Sequence, residues 1–292
     1  MAYPAPSFIS NFNVITKALI FAAILALGYA VAVGFFAAAV PRVGPTQHQA
    51  NIIRIERVWH ADHAPDALLA GTSLAARLPA SVLDPEMESI AQSATGPMTA
   101  LLLTAQMEKL PKLVYVEVNM LHQGVDEEAL EYFTRQPMAS LREIIPVLRQ
   151  SEQPVNLLLS ALVAKRPESE TKFDAEKLKF GLQYLFVQNQ SVLSQDKIES
   201  KVGELRRVLL DLRVRGAEVV LVEFPFSPEV RGAPRYQQSF AVLNAVFPSA
   251  EWAWVRSPDG IDWQMTDGLH LTTPSAVDFA RLLKLDLRRR LN

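Results

Sequence analysis

The chain has 292 residues, enough for one large domain with a sizeable core. Its 29 basic residues nearly balance its 31 acidic ones, so the charge gives no reason to expect nucleic acid as a partner. The chain has no cysteine, which excludes disulfides, thiol catalysis and cysteine-ligated metals and is compatible with an oxidising compartment.

An apolar run near the amino end predicts a membrane-spanning helix. Residues 18–40 carry no charge between Lys17 and Arg42. At about 1.5 Å per residue the run is about 35 Å long, enough to cross a hydrocarbon core of about 30 Å. Ala37–Ala39 would suit the cleavage site of a signal peptide, but the run exceeds the usual apolar length of such peptides, about 7–15 residues. We therefore expect a retained anchor after a cytoplasmic segment, 1–17.

The charges beside this helix predict the opposite membrane orientation from the one that we expect for the large domain. Lys17 precedes the helix, whereas Arg42, Arg54 and Arg57 follow it, and this count favours a cytoplasmic carboxyl side. Long domains are translocated largely regardless of charge, and the chemistry below favours an extracytoplasmic domain. Residues 41–65 are mixed and polar, which predicts a linker with one short element.

Beyond the linker, short apolar runs alternate with helix-forming segments, which indicates an α/β fold with parallel strands joined by crossovers. Residues 126–215 interrupt the alternation with helical periodicity and are interpreted as an insertion or lid. Within them, the polar segment 166–177 predicts a mobile loop. The predicted strands are 67–70, 89–94, 112–118, 217–224 and a short one within 251–257, and the main helices are 95–110 and a terminal helix from Thr273.

Ser73 stands where a parallel sheet displays functional side chains. It follows the strand 67–70 and Gly71, at the start of a helical segment. Such a serine lies at the carboxyl edge of the sheet, close to the N–H groups of the helix amino terminus. Serine at a helix start is more often a cap than a nucleophile, so its interpretation depends on partners elsewhere in the chain.

Asp267 and His270 supply such partners on a loop before the last helix. They stand three residues apart in TDGLHLT. At this spacing the carboxylate can accept from one ring nitrogen of the histidine, so that the other ring nitrogen faces outward as a base. Gly96 after the second predicted strand and Asn119 after the third fall at the same edge of the sheet.

These positions resemble the four blocks of the SGNH (GDSL-like) hydrolase superfamily. The resemblance covers about residues 66–119 and 217–292. It implies a flavodoxin-like, three-layer α/β fold with a central parallel sheet. The positions that carry it are the Gly-x-Ser turn at 71–73, Gly96, Asn119 and the Asp-x-x-His at 267–270.

The resemblance also implies a role for each residue. Ser73 would be the nucleophile that accepts the acyl group, His270 its general base and Asp267 the residue that orients the histidine. The oxyanion hole would consist of the backbone N–H groups of Ser73 and Gly96 and the side-chain amide of Asn119. No metal or other cofactor is expected.

The sequence also departs from the family pattern in two of the four blocks. The first block usually reads Gly-Asp-Ser, whereas Thr72 replaces the acid here. The third usually reads Gly-x-Asn-Asp, whereas Asn119 follows Glu117 and Val118. An α/β-hydrolase also orders its triad Ser, Asp, His, but its nucleophile comes later in the chain and its acid and histidine lie on separate loops.

An anchor joined to an SGNH-like domain, 66–292, resembles membrane-bound acyltransferases that modify alginate, peptidoglycan or teichoic acid. The resemblance implies a single-pass protein of the bacterial inner membrane, with its catalytic domain in the periplasm and in contact with membrane lipid. Its function would be O-acylation, with acetyl the expected group, of an extracytoplasmic polysaccharide, fed by a polytopic membrane-bound O-acyltransferase. The alternatives are an SGNH esterase with the same triad and a non-catalytic anchored scaffold.

Overall fold

Five parallel strands form the centre of the structure, a computed structural model that describes residues 9–36, 44–163, 173–258 and 260–291. Their order in the sheet is β2-β1-β3-β4-β5. The parallel sheet predicted from the alternating pattern is therefore confirmed. The strands are β1 (Ala67–Ala70), β2 (Met87–Ser89), β3 (Leu113–Glu117), β4 (Glu218–Glu223) and β5 (Ala253–Arg256).

The register brings the carboxyl ends of the strands to one edge. Ala70, at the end of β1, pairs with Val116, which pairs in turn with Leu221 and through it with Trp254. The strand order reverses at β1, because the chain places β2 on one side of it and β3 on the other. In open α/β sheets such a reversal leaves a crevice outside the carboxyl ends of the strands, where ligands bind.

Twelve α-helices are described, with two short 3₁₀ turns at Pro146–Leu148 and Gln150–Glu152. Several are too short to be stable alone and depend on tertiary packing. The helices are α1 (Ile9–Phe36), α2 (Gln47–Trp59), α3 (Ser73–Ala76), α4 (Pro97–Gln106), α5 (Glu127–Thr134), α6 (Met138–Ile144), α7 (Pro154–Val163), α8 (Ala175–Asn189), α9 (Gln195–Val214), α10 (Pro228–Arg231), α11 (Pro234–Val246) and α12 (Thr273–Leu291).

The core lies on both faces of the sheet. All five residues of β3 are buried, and because successive side chains of a strand point to opposite faces, both faces are covered. Helix α9 buries Ile198, Val202, Leu205 and Leu209, a spacing of three and four that places them on one face. This helix is therefore part of the core, although its residues fall within the predicted insertion 126–215.

Helix α1 has the composition of a membrane span. Residues Asn13–Val33 have a mean hydropathy of 2.2, and their most apolar window has no buried residue, whereas Val33, at the end of the range, is buried. Large apolar side chains such as Leu19 and Phe21 are exposed. The helix is long and apolar enough to cross a membrane, as its sequence predicts. The last part of the predicted span, 37–40, lies outside the described residues.

The segment 41–65, expected to be a linker, contains helix α2. Thr46 and Gln49 form a capping box at its amino end, in which each side chain bonds the other's backbone N–H. Ile52 and Ile55 belong to the main core, so the folded domain includes residues well before 66. The predicted loop 166–177 falls largely on 164–172, outside the described residues, and α8 begins at Ala175.

Candidate active site

Ser73 is the first residue of α3, directly after the turn that follows β1. Thr72 caps this helix, because its hydroxyl accepts from the backbone N–H of Leu74 at 3.3 Å. The turn packs closely on β3: a Cβ at Gly71 would lie 2.8 Å from the Glu117 Oε2 atom and 2.9 Å from the Ala75 Cβ atom. Glycine is therefore needed before Thr72 to let the turn approach the end of β3.

Ser73 meets His270 across 197 positions of sequence. The Ser73 Oγ atom lies 2.8 Å from His270 Nε2, and the His270 Nδ1 atom lies 2.7 Å from Asp267 Oδ2. The structure thus brings the three residues predicted as nucleophile, base and orienting acid into one hydrogen-bonded chain. Ser73 and His270 are partly buried, which leaves the hydroxyl accessible from the carboxyl edge of the sheet.

The loop that carries His270 is held by its own hydrogen bonds. Asp267 Oδ1 accepts from the N–H groups of Leu269 and His270 at 3.0 and 2.8 Å. The Thr266 N–H donates to the carbonyl of His270 at 2.8 Å, and Gly268 supplies the positive φ of +93° that closes the turn. The histidine is therefore positioned before any substrate binds.

These contacts determine the charge of Asp267 and the tautomer of His270. Burial alone would raise the pKa of Asp267, but the hydrogen bond and charge of His270, with the N–H groups of His270 and Leu269, lower that pKa to about 2. The carboxylate is thus ionised and can only accept. Nδ1 of the histidine must donate to it, which leaves Nε2 as the acceptor for the Ser73 hydroxyl.

Asn119 joins the ends of β3 and β4. Its amide nitrogen donates to the carbonyl of Phe224 and its amide oxygen accepts from the N–H of Phe224, both at 2.8 Å. The side chain is 3 % exposed. A primary amide has two N–H groups, so one N–H lies outside this pair and is the group that an oxyanion role would use.

Gly96 lies in a different setting from the one that the resemblance implies. Its N–H donates to the carbonyl of Gly124 at 2.8 Å, so this donor is already used within the protein. A Cβ at Gly96 would lie 2.8 Å from the carbonyl oxygen of Gln123. The structure therefore gives Gly96 a packing role, as the residue before α4 that lets the 123–124 segment approach.

Glu117 is a residue of this site that sequence reasoning missed. Its carboxylate accepts from the Thr72 N–H at 2.6 Å, and the Thr72 hydroxyl lies 2.8 Å from both carboxylate oxygens. Burial raises the pKa of Glu117 to about 7, against the opposing hydrogen bonds from Thr72 and the N–H of Ala75. A lone acid within the apolar run KLVYVEV was the available signal, because a buried carboxyl requires partners.

A cavity of about 260 Å³ lies at the ends of β3 and β4, beside Asn119. Its walls include Arg235 and His122, and none of the described residues that line it is acidic. Burial, together with the charges of Arg235 and Lys201, lowers the pKa of His122 to about 4. The histidine is therefore neutral near pH 7, and the cavity offers uncharged donors and acceptors beside one guanidinium.

Helix α8 lies directly on the loop that carries the acid. A Cβ at Gly181 would lie 2.5 Å from the carbonyl oxygen of Asp267 and 2.7 Å from its Cα atom. A Cβ at Gly268 would lie 2.7 Å from a methyl carbon of Leu182. Two glycines thus allow the backbones to touch, and α8 covers one side of the site.

Comparison of the chain with protein families, with characterised proteins and with solved structures finds no match. Within the described residues, no group of three or more His, Cys, Asp or Glu side chains is arranged to hold a metal ion.

Proposed function

We propose that this protein is a membrane-anchored O-acyltransferase of SGNH type that transfers an acyl group, expected to be acetyl, through Ser73 to a hydroxyl of an extracytoplasmic polysaccharide. The observation that carries the proposal is the hydrogen-bonded chain from Ser73 through His270 to Asp267. The strand order, which is that of flavodoxin-like sheets, and the apolar helix α1 support the assignment to the SGNH superfamily and to the membrane.

The reaction follows from the direction of these hydrogen bonds. Ser73 Oγ attacks the carbonyl carbon of an acyl donor while His270 Nε2 takes the hydroxyl proton. The tetrahedral intermediate collapses, and the donor leaves with the proton from His270. The acceptor hydroxyl then gives its proton to His270 and attacks the acyl carbon. The bond to Ser73 Oγ breaks as His270 returns the proton to it, so that one ester bond is exchanged for another.

Stabilisation of the oxyanion would come from the Ser73 N–H at the start of α3 and from the second amide N–H of Asn119. One well-placed donor of this kind is worth about 2.7–4 kcal/mol of barrier. Asn119 also borders the cavity with Arg235 and His122, and these hydrogen-bonding groups, set among apolar side chains, suit a sugar. We place the acceptor there.

The setting in the cell follows from the same proposal. Acyl donors are made in the cytoplasm and the polymer lies outside, so the anchored domain would receive its acyl group from a polytopic membrane-bound O-acyltransferase. Helix α8, against the Asp267 loop, would limit the access of water to the acyl-enzyme. Limited access of water is what a transferase needs, because water competes with the sugar hydroxyl.

Mass spectrometry of the intact protein tests the nucleophile. Full-length protein in detergent is mixed with p-nitrophenyl acetate, and we expect one acetyl group to be added at Ser73. Ser73→Ala should carry no adduct and should lower kcat for release of p-nitrophenol by about 10⁴-fold or more. An unchanged adduct in Ser73→Ala would exclude Ser73 as the nucleophile.

The fate of the acyl group separates transfer from hydrolysis. Labelled acyl-enzyme is supplied with polysaccharide acceptor, and acylated polymer supports the transferase. Release of free acid alone, with acceptor in excess, would instead identify an esterase. Polymer acylation that persists in cells carrying Ser73→Ala, with the protein present, would favour the scaffold.

A further inference from the structure

Helix α7 presents an apolar face that the folded domain does not cover. Its sequence, PVNLLLSALV, carries no charged residue. Val155, Leu158 and Leu162 are 51 %, 62 % and 62 % exposed. At a spacing of three and four they share one face of the helix, whereas Asn156 and Ser160, on the other side, are fully buried.

This arrangement inverts the usual order of a surface helix. A helix on the surface of a soluble domain turns its polar residues to water and its large apolar residues to the core. Here two small polar side chains, Asn156 and Ser160, face the protein. The Asn156 amide nitrogen donates to the carbonyl of Gln150 at 2.6 Å, whereas its amide oxygen is buried without a hydrogen-bond partner. A helix with this polarity suits an apolar environment better than water.

Helix α1 contacts the folded domain next to the start of α7. The hydroxyl of Tyr29 donates to the carbonyl of Glu152, two residues before α7 begins. Tyr29 lies within the apolar span of α1, Asn13–Val33. The start of α7 thus lies beside the apolar helix that would cross the membrane.

We infer that α7 lies in the plane of the membrane interface beside α1, with Val155, Leu158 and Leu162 among the lipid acyl chains. An apolar helix face next to a span is suited to a bilayer surface. The inference rests on the proposed anchoring by α1 and is independent of the acyl chemistry at Ser73. A second contact would restrict rotation of the domain about α1 and set the orientation of the site relative to the membrane.

The absence of cysteine from the chain allows each position to be labelled singly. Leu158→Cys is labelled with a nitrobenzoxadiazole fluorophore in the full-length protein and reconstituted into phosphatidylcholine vesicles that contain lipid with a spin label at carbon 5 of the acyl chain. Leu285→Cys on α12, where the leucine is 57 % exposed, is the matched control, and Leu25→Cys in α1, also 57 % exposed, reports the anchor itself.

We expect the label at Leu158 to be quenched by the spin-labelled lipid at least five-fold more strongly than the label at Leu285, and to emit at shorter wavelength. Quenching at Leu25 with a water-exposed label at Leu158 would overturn the inference while leaving the anchor in place, and would indicate a protein partner on this face. Equal quenching at Leu158 and Leu285, or none at Leu25, would also overturn it. Acylation of Ser73 is measured separately, so failure of the proposed function would be distinguishable.

Discussion

The carboxylate of Glu117 lies 2.6 Å from the backbone nitrogen of Thr72 and 2.8 Å from its hydroxyl. Thr72 and Glu117 stand at two of the positions where the chain departs from the pattern of the proposed family. The acid missing from position 72 is matched by an acid at the end of the neighbouring strand, whose side chain supports the same turn. Glu117 therefore helps to set the backbone from which Ser73 is displayed.

The first prediction concerns this support. Glu117→Ala leaves the N–H and hydroxyl of Thr72 without their acceptor, and we expect the free energy of unfolding to fall by about 1–3 kcal/mol. The kcat for p-nitrophenyl acetate should fall as well, because the Ser73 turn loses its fixed position. Glu117→Gln retains an oxygen acceptor of the same length and should recover most of the activity. Equal losses in both variants would contradict a positioning role.

The second prediction concerns the pH dependence of stability. The pKa of Glu117 rises from an ordinary value of 4.5 to about 7 in the folded protein, so the folded state binds its proton more tightly. Its contribution to stability is fully present below pH 4.5 and is lost as the pH rises through about 7, a change on the order of 3 kcal/mol.

The free energy of unfolding is measured by urea titration with tryptophan fluorescence, for the native chain and for Glu117→Gln at each pH. Subtracting the value for Glu117→Gln removes the contributions of the other titrating groups, among them His122, and leaves that of Glu117. We expect the difference to fall between pH 5 and 8. A difference that stays constant or rises over this range would show that the burial of Glu117 does not raise its pKa.

The third prediction concerns Asp267. Asn in its place is uncharged, and its amide N–H₂ can donate to Nδ1 of His270. The histidine can then carry its proton on Nε2, so that no ring nitrogen is left to accept from Ser73. We expect Asp267→Asn to lower kcat by about 10⁴-fold, with Ser73 still folded in its turn. Stopped-flow release of p-nitrophenol measures the acylation step directly. Activity within ten-fold of the native value would exclude the triad.

The fourth prediction concerns the contact of α8 with the loop that carries Asp267 and His270. Ala at position 181 would place its Cβ 2.5 Å from the carbonyl oxygen of Asp267, so the helix or the loop must move. We expect Gly181→Ala to lower kcat and stability, although alanine in a helix interior usually adds about 0.8–1 kcal/mol.

Gly203→Ala in α9 is the matched control, because its Cβ would enter open space. We expect this variant to gain stability and to keep its kcat. The same assays are applied to both variants. A Gly181→Ala variant as active and as stable as Gly203→Ala would show that α8 does not hold the Asp267 loop.

Local sequence was enough to predict most of the sheet. The strands β1, β3 and β4 agree with the predicted runs 67–70, 112–118 and 217–224 to within one residue at each end. Continuous apolar runs bounded by turn residues identify strands that are buried on both faces. Helix α2 lies where a linker with one short element was predicted, and Thr46 and Gln49 form its capping box. Its place in the core could not be predicted, because its burial depends on neighbours distant in sequence.

Within the site, Asp267 and His270 pair locally, because they stand only three residues apart on one loop. Only the tertiary structure decided which residues distant in sequence contact the site. The contact of Glu117 with Thr72 depends on β1 and β3 being neighbours in the sheet, and the contact of Gly181 with Asp267 depends on where α8 folds back. Residues adjacent in sequence share a backbone that limits their distance, whereas distant residues meet only through the packing of the whole domain.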